Sequence, residues 1–127
     1  MAFFDGTGRI IGYYAISQDS LTVEELPDAI GKKLPSKRKV PCTLLGRLAV
    51  DKNFHGRGYG REILYNALNR AAAMNQEIAS FAVIVDAKDQ KAKEFYQRYN
   101  FVALKNQSMR LFMPMRDIEK LVKIWND

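Results

Sequence analysis

The feature that most constrains how this chain folds is a glycine-rich loop between an apolar run and a helical pattern. The loop consists of His55, Gly56, Arg57, Gly58, Tyr59 and Gly60. Residues 44–50 before it are mostly apolar, as in a buried strand, and residues 61–74 after it carry apolar side chains at helical spacing. A glycine loop at the start of a helix exposes unpaired backbone N–H groups beside the positive end of the helix dipole. The loop, with Arg57 and Arg61, is therefore predicted to bind phosphate.

Composition limits the classes of protein that need to be considered. The chain has 127 residues, which predicts one domain over residues 1–127, and a net charge of +6, which favours acidic partners such as coenzyme phosphates or nucleic acid. No apolar run approaches the roughly 18 residues of a membrane span, and the first residues lack the pattern of a signal peptide. Cys42 is the only cysteine, so no intrachain disulfide or cysteine metal site is expected. These features predict a cytoplasmic protein.

Hydrophobic patterning along the rest of the chain predicts a mixed α/β fold, with a sheet flanked by helices. Residues 3–4 and 9–16 indicate a hairpin, and residues 21–34 indicate a short or broken helix interrupted at Pro27. Residues 78–85 are almost continuously apolar, and a strand–helix–strand crossover is right-handed, so this strand is predicted to lie parallel to residues 44–50. The remaining predicted elements are a helix over residues 89–99 ended by Asn100 in the left-handed conformation, a hairpin of residues 102–104 with 110–115, and a helix over residues 116–125.

The densest positive charge lies in the segment from residue 31 to residue 41, which flanking prolines mark as an exposed connection. Its cationic side chains are Lys32, Lys33, Lys37, Arg38 and Lys39. Two interpretations are open: a solvated loop, or a contact to the phosphate backbone of a nucleic acid, which clustered Lys and Arg make. Few aromatic side chains lie among these cations, so no base-stacking platform is predicted.

Three glycines at alternate positions do not identify a nucleotide-binding loop by themselves. The loop lacks the Gly-Lys-Ser/Thr ending of a P-loop and the longer last gap of a Rossmann loop. Together with the preceding strand, it resembles the pyrophosphate loop Q/R-x-x-G-x-G/A of the GNAT acetyltransferases, with His55 in place of Gln or Arg, then Gly58 and Gly60. Residues 86–101 resemble the segment of that family that ends in F-Y-x-x-x-G-F, with Tyr96 at the tyrosine.

Two longer sequence segments resemble one branch of that family, the GNAT toxins of bacterial toxin–antitoxin pairs. These segments are residues 45–51 and 110–115. The resemblance implies a GNAT-like acetyl-CoA-dependent N-acetyltransferase that acetylates the α-amine of aminoacyl-tRNA and so blocks translation. It also implies a homodimer and an antitoxin partner of ribbon-helix-helix type. The family's usual opening strand and two helices, roughly 40 residues, have no counterpart before the first hairpin, so an N-terminally truncated form is expected.

The same resemblance implies roles for particular residues. Leu48, Ala49 and Val50 would supply backbone groups to the pantetheine arm and the thioester carbonyl, and the residues from His55 to Arg61 would hold the pyrophosphate. Tyr96 would be the general acid, because a phenol stays protonated at neutral pH and donates to a developing thiolate. Helical spacing alone favours an ordinary core aromatic for Tyr96, and it is the place of Tyr96 in the Phe-Tyr motif that favours the acid.

Some questions stay open at the level of sequence. No general base is identified, since Glu24, Glu25 and Asp51 are candidates by residue type alone and an ordered water is another. No cluster of His, Cys and Asp supports a metal site, so no metal is expected. The alternatives to a tRNA-acetylating toxin are an enzyme that acetylates a small amine or a protein N-terminus, and an inactive remnant that binds coenzyme, antitoxin or RNA.

Overall fold

Six strands form one mixed sheet in the computed structural model, which describes residues 1–32, 39–75, 80–105 and 107–126. The strands are β1 (Ala2–Phe4), β2 (Ile10–Thr22), β3 (Lys39–Val50), β4 (Ala82–Asp86), β5 (Val102–Leu104) and β6 (Gln107–Pro114). The described helices are α1 (Asp28–Gly31), α2 (Tyr59–Met74), α3 (Gln90–Arg98) and α4 (Met115–Trp125). The mixed α/β fold expected from the sequence is confirmed.

The strand order is β1-β2-β3-β4-β6-β5, and one pair at the centre is parallel. That pair is β3 and β4, with Leu45 opposite Val85, and α2 forms the crossover between them as predicted. All other neighbouring strands are antiparallel. The first four residues of β4 are fully buried because alternate side chains enter cores on opposite faces of the sheet, Val83 on one and Ile84 on the other.

The two faces of the sheet are covered by different elements. Helices α2, α3 and α4 pack on the face that carries Tyr14 and Leu111, and together they form the larger core. The Tyr14 hydroxyl donates to Asn66 Oδ1 of α2 at 2.7 Å, which ties β2 to that helix. The smaller core on the opposite face contains Cys42 and receives Ile30 from α1. Burial raises the pKa of the Cys42 thiol to about 11 because the thiolate would lose its hydration.

Several strand boundaries differ from the predicted ones. β2 extends to Thr22 rather than to residue 16, and β6 begins at Gln107 rather than at residue 110. β3 begins at Lys39 rather than at residue 44, because the pairing with β2 extends to Thr22 opposite Lys39. β4 begins at Ala82 rather than at residue 78, and residues 76–79 lie outside the described residues. Ser80 precedes β4 with its backbone N–H bonded to Asn75 Oδ1, an arrangement that ends the loop instead of extending the strand.

The segment over residues 21–34 is broken, as expected, and the break has a local cause. β2 runs to Thr22, a single 3₁₀ turn covers Val23–Glu25, and Pro27 separates this turn from α1. Thr22 and Glu25 form a capping box, which fixes the start of the turn. Residues 33–38 of this region lie outside the described residues.

Both ends of α3 are capped by neighbouring residues. The Asp89 carboxylate accepts from the Ala92 N–H at 2.8 Å and caps the start of α3. Asn100 follows the end of α3 with φ of +73°, the left-handed conformation predicted for it. Among the described helices, none combines the length and the apolar character needed to cross a membrane.

Candidate active site

β3 and β4 separate near the carboxyl end of β4. Their parallel pairing ends at Leu45 opposite Val85, whereas β3 continues beside β2 as far as Val50. Residues 46–50 of β3, called the open edge below, therefore have no partner strand on the β4 side among the described residues. Such an edge presents N–H and C=O groups with which an extended ligand pairs as a further strand would.

A β-bulge lies at the start of the open edge. Gly46 pairs with Ala15 and Ala49 pairs with Tyr13, so two residues of β3, Arg47 and Leu48, oppose a single residue of β2. Arg47 has φ of +54°, a left-handed conformation that is unusual for a residue with a side chain. An extra residue bends the bulged strand and increases its twist. The bulge thus coincides with the place where β3 leaves β4.

Backbone groups along the open edge alternate in direction. The Asp51 N–H donates to the Ile11 carbonyl of β2 at 2.7 Å, which makes these two a hydrogen-bonded pair of the ladder. Because bonded and non-bonded pairs alternate in an antiparallel ladder, Val50 directs its N–H and C=O away from β2, and Ala49 directs its own towards β2. Of the three residues predicted to face the coenzyme, Val50 thus orients its backbone groups to the open side, Ala49 pairs with β2, and Leu48 lies in the bulge.

The glycine-rich loop lies between the open edge and α2. Gly56 and Gly58 have φ of +75° and +80°, conformations that glycine adopts without the steric cost of a Cβ. Gly58 is the N-cap of α2, and no side chain caps this end of the helix. The N–H groups of the first turn, from Tyr59 onwards, are therefore available to an anion and lie at the positive end of the helix dipole. This geometry fits a pyrophosphate.

Three charged or ionisable side chains surround this loop. His55 Nε2 lies 2.7 Å from the Val50 carbonyl oxygen, so the imidazole joins the loop to the end of the open edge. The Arg57 guanidinium lies 5.6 Å from the ring centre of Phe54, and that of Arg61 lies 5.9 Å from Tyr65. Both arginines are exposed beside the loop. The structure thus brings together the loop residues that were predicted to bind phosphate. The Nε2 atom of His55, however, contacts the end of β3 and not the space in front of the loop.

Tyr96 lies on α3, which packs against the start of α2. A Cβ at Gly60 would lie 3.3 Å from the Phe95 ring, so the two helices meet at the glycine loop. Tyr96 is 6% exposed and packs edge-on against Phe95 and Phe101, with ring centres 5.3 Å and 5.5 Å away. Burial raises the pKa of Tyr96 to about 12 because the phenolate would be desolvated. The phenol therefore remains a proton donor throughout the physiological range.

Tyr99, one turn further along α3, is a second phenol on this helix and has a different environment. Its ring packs against Phe95 and Tyr65, with ring centres 5.1 Å and 6.1 Å away. Together with Trp125 it lines a cavity of about 300 Å³ between α2 and the end of α4. Its contacts are those of a packing residue.

Two of the three carboxylates considered as general bases have structural partners. The Asp51 carboxylate accepts from the Asn53 N–H at 2.9 Å and caps a 3₁₀ turn. Burial raises the pKa of Glu25, but hydrogen bonds from Thr22 and Gln107 outweigh it and hold that pKa below its usual value. Glu24 is exposed. Within the described residues, the surroundings of these three carboxylates identify none of them as the general base.

The basic segment is described only at its two ends. Lys32 follows α1 and Lys39 begins β3, and both are exposed. Lys33, Lys37 and Arg38 lie outside the described residues. Within the described ranges, no group of three or more His, Cys, Asp or Glu side chains is arranged to hold a metal ion.

Two features near the open edge were not predicted from the sequence. One is the left-handed Arg47 at the bulge. The other is Arg110 of β6, which makes two hydrogen bonds to the Asp86 carboxylate at 2.7 Å and 3.0 Å and an ion pair with Asp19 at 3.5 Å. The bonds to Asp86 raise the pKa of Arg110. The opposite charges of Asp86 and Arg110 are visible in the sequence, but their pairing follows only from the strand register.

The profile of the acetyltransferase (GNAT) family matches residues 1–101, which include the open edge, the glycine loop and Tyr96. The chain belongs to the GNAT acetyltransferase family. A tRNA-acetylating toxin of Mycobacterium tuberculosis is 31% identical to this GNAT chain over 115 residues, or 91% of this chain and 68% of that protein.

Two solved structures of a related protein resemble this GNAT chain. AtaT complexed with acetyl-methionyl-tRNAfMet superimposes with a TM-score of 0.82 at 28% identity, over 92% of this chain and 69% of that one. AtaTR bound with acetyl-CoA superimposes with a TM-score of 0.76 at 28% identity, over the same shares of the two chains. The similarity therefore includes both the sequence and the arrangement of the sheet.

Proposed function

We propose that this chain transfers the acetyl group of acetyl-CoA to the α-amine of aminoacyl-tRNA and acts as a toxin that blocks translation. The observation that carries the proposal is the open edge of β3 beside a left-handed glycine loop that begins α2. The 31% identity to a tRNA-acetylating toxin and the resemblance to AtaT complexed with acetyl-methionyl-tRNAfMet support this reaction.

The donor half of the site holds acetyl-CoA, which supplies the thioester. Leu48 and Val50 bind the pantetheine arm through their backbone groups, in the manner of an added strand. The first-turn N–H groups of α2, with Gly56 and Gly58, bind the pyrophosphate, and Arg57 adds positive charge. Because the strand edge and the helix start are rigid parts of the fold, they fix the position of the thioester carbonyl.

Tyr96 donates a proton towards the leaving sulfur. Its phenol stays protonated because burial raises its pKa to about 12. A proton or hydrogen bond supplied as negative charge develops on sulfur lowers the barrier to departure of the thiolate. The rings of Phe95 and Phe101 pack edge-on against the Tyr96 ring, and this packing limits the positions that the hydroxyl takes.

The acceptor half of the site requires a deprotonated α-amine and a surface that binds the RNA of the aminoacyl-tRNA. The α-amine of an aminoacyl ester has a low enough pKa to need little help from a base, which agrees with the structural roles of Asp51 and Glu25. The basic segment containing Lys32, Lys33, Lys37, Arg38 and Lys39 contacts RNA phosphates in this proposal. The net charge of +6 supports an RNA partner.

The proposal extends to partners and location. The chain acts in the cytoplasm, where aminoacyl-tRNA is found, as a homodimer, and an antitoxin of ribbon-helix-helix type neutralises it. The relative named as a toxin supports the toxin role, on which the antitoxin partner depends. Sedimentation of the purified protein by itself measures the homodimer, and sedimentation of its mixture with the purified antitoxin measures the complex of the two.

The test is to incubate the protein with radiolabelled acetyl-CoA and three acceptors: a mixture of aminoacyl-tRNAs, free amino acid amides and peptides with a free N-terminus. We expect label in acid-precipitable tRNA, and its loss after mild alkaline hydrolysis of the aminoacyl ester. Label in the amides or peptides alone contradicts the tRNA substrate. Coenzyme binding by calorimetry without transfer to any acceptor contradicts the enzyme and supports the inactive remnant.

A further inference from the structure

Arg47 combines a strained backbone with an exposed charge at the mouth of the site. Its φ of +54° is left-handed, whereas the neighbouring Gly46, which would adopt that conformation freely, is not left-handed. Strained residues of this kind persist where the surrounding structure fixes them, often at ligand-binding positions. The side chain at this position is therefore a candidate for a function that glycine does not supply.

The charge of Arg47 has no ion-pair partner in the described part of the chain. Arg110 and Arg61, in contrast, pair with Asp86 and Glu62 at 2.7 Å and 3.4 Å. Arg47 is exposed, while the adjacent Leu48 packs against the larger core. The bulge thus presents a guanidinium to solvent two residues beyond the last pairing of β3 with β4.

We infer that Arg47 binds the phosphodiester backbone at the 3′ end of the acceptor RNA, beside the esterified amino acid; this inference rests on the proposed function. The reacting amine has to reach a thioester held along the open edge, and one ribose separates the aminoacyl ester from the nearest phosphodiester. A guanidinium offers paired N–H donors that match phosphate oxygens. Arg47 is the exposed cation that lies within the open edge itself, so it meets the RNA where the chemistry occurs.

Three variants test the inference: Arg47→Gly, Arg47→Ala and Arg47→Lys. We expect the Gly and Ala variants to raise KM for aminoacyl-tRNA about 10-fold, and to reduce the slope of log K against log[salt] for deacylated tRNA by about 0.7–0.9. The Lys variant retains the slope because it keeps the charge. Arg47→Gly is expected to melt about 2–5 °C above Arg47→Ala, because glycine relieves the left-handed strain.

Controls separate an RNA contact from an effect on the chemistry. With methionine amide as acceptor, Arg47→Gly and Arg47→Ala are expected to lose less of their kcat/KM than with aminoacyl-tRNA, since this acceptor has no phosphate. Arg116→Ala is the matched control, because it removes an exposed arginine that lies far from the open edge. Arg116 follows β6 near Pro114, which pairs with Ala82 at the opposite end of β4. This variant is expected to leave KM for aminoacyl-tRNA unchanged.

An unchanged KM and salt slope in Arg47→Gly overturn the inference, as does an equal loss with methionine amide. Equal melting temperatures of the Gly and Ala variants overturn the argument from strain. If the wild-type protein labels no tRNA, the proposed function fails. The binding titration then still tests Arg47, because it needs no turnover.

Discussion

The imidazole of His55 donates from Nε2 to the carbonyl oxygen of Val50 at 2.7 Å. A carbonyl oxygen only accepts, so Nε2 carries the proton, and Nδ1 is the nitrogen left to face other groups. The bond joins the glycine loop to the end of the open edge, two segments that the proposal assigns to different parts of one coenzyme. His55 therefore orients the donor site in addition to lying in the loop.

We predict that His55→Ala weakens acetyl-CoA binding about 5- to 30-fold, whereas His55→Gln retains most of the affinity. Alanine leaves the Val50 carbonyl without this partner and the loop without its tether, at a cost of about 1–2 kcal/mol. A glutamine amide is able to donate in place of the imidazole. Titration calorimetry measures both dissociation constants, and equal affinities of the alanine variant and the wild type contradict the tether.

Replacement of Tyr96 by Phe tests the proton donor. We predict a turnover lower by about 10²–10³ with acetyl-CoA affinity kept within about 3-fold, because the change removes a hydroxyl that acts only as the thiolate leaves. Tyr99→Phe is the matched control, since Tyr99 lies one turn along the same helix and is expected to keep its turnover. Near-normal turnover of the Tyr96 variant removes this residue from the mechanism.

Tyr96 also predicts how stability depends on pH. Its pKa is about 12 in the folded chain, against a reference value of 10.0. Between these values the unfolded state loses the proton first, so the free energy of unfolding falls as pH rises, by about 1.4 kcal/mol at pH 11. Below pH 9 this contribution is constant.

Urea titrations of wild type and Tyr96→Phe between pH 8 and pH 11 measure this difference in slope. Cys42 adds a fall of the same sign from pH 9 upwards, because its thiol pKa is raised to about 11. A Cys42→Ala background in both proteins removes that contribution. Parallel pH curves of the two proteins in this background contradict the raised pKa of Tyr96.

Gly58 and Gly8 form a matched pair for testing the glycine loop. Both have left-handed φ, +80° and +85°, and a Cβ at either position meets nothing within 4 Å. Alanine at each is therefore expected to cost about 1 kcal/mol of stability through backbone strain alone. We predict that only Gly58→Ala also lowers acetyl-CoA affinity, by about 10-fold or more, because it disturbs the start of α2. Equal affinities of the two variants contradict a phosphate site there.

The sequence predicted the parts of the site that depend on local chemistry. The glycine loop, the buried parallel strand and the cap at Asn100 are each specified by neighbouring residues, and the structure contains all three. The bulge at Arg47 was not predicted, because it arises from a mismatch of register between β2 and β3 that no residue near it signals.

The early start of β3 and the Asp86–Arg110 pair were missed for the same physical reason. Lys39 and Pro41 have the composition of a loop, but pairing with the long β2 makes them a strand. Asp86 and Arg110 are 24 residues apart and become neighbours only when β4 and β6 pair. Contacts that depend on register between distant strands require the structure.

Gly12 gives the sharpest test of how β2 supports the open edge. A Cβ there would lie 2.5 Å from both the Ala49 carbonyl oxygen and Ile63 Cδ1, so β2, β3 and α2 meet at this point without space for a methyl group. We predict that Gly12→Ala lowers the free energy of unfolding by about 1–3 kcal/mol, because strand or helix has to shift.

The control is Gly46→Ala, where a Cβ meets nothing within 4 Å. This variant is expected to keep its stability or to gain up to about 1 kcal/mol, since alanine loses less backbone entropy on folding. Because the shift in Gly12→Ala moves Ala49, and with it the adjacent Val50, acetyl-CoA affinity is expected to fall in that variant as well. Urea unfolding and calorimetry on the two variants measure both effects, and a Gly12→Ala protein with wild-type stability contradicts the close packing of β2 against the open edge.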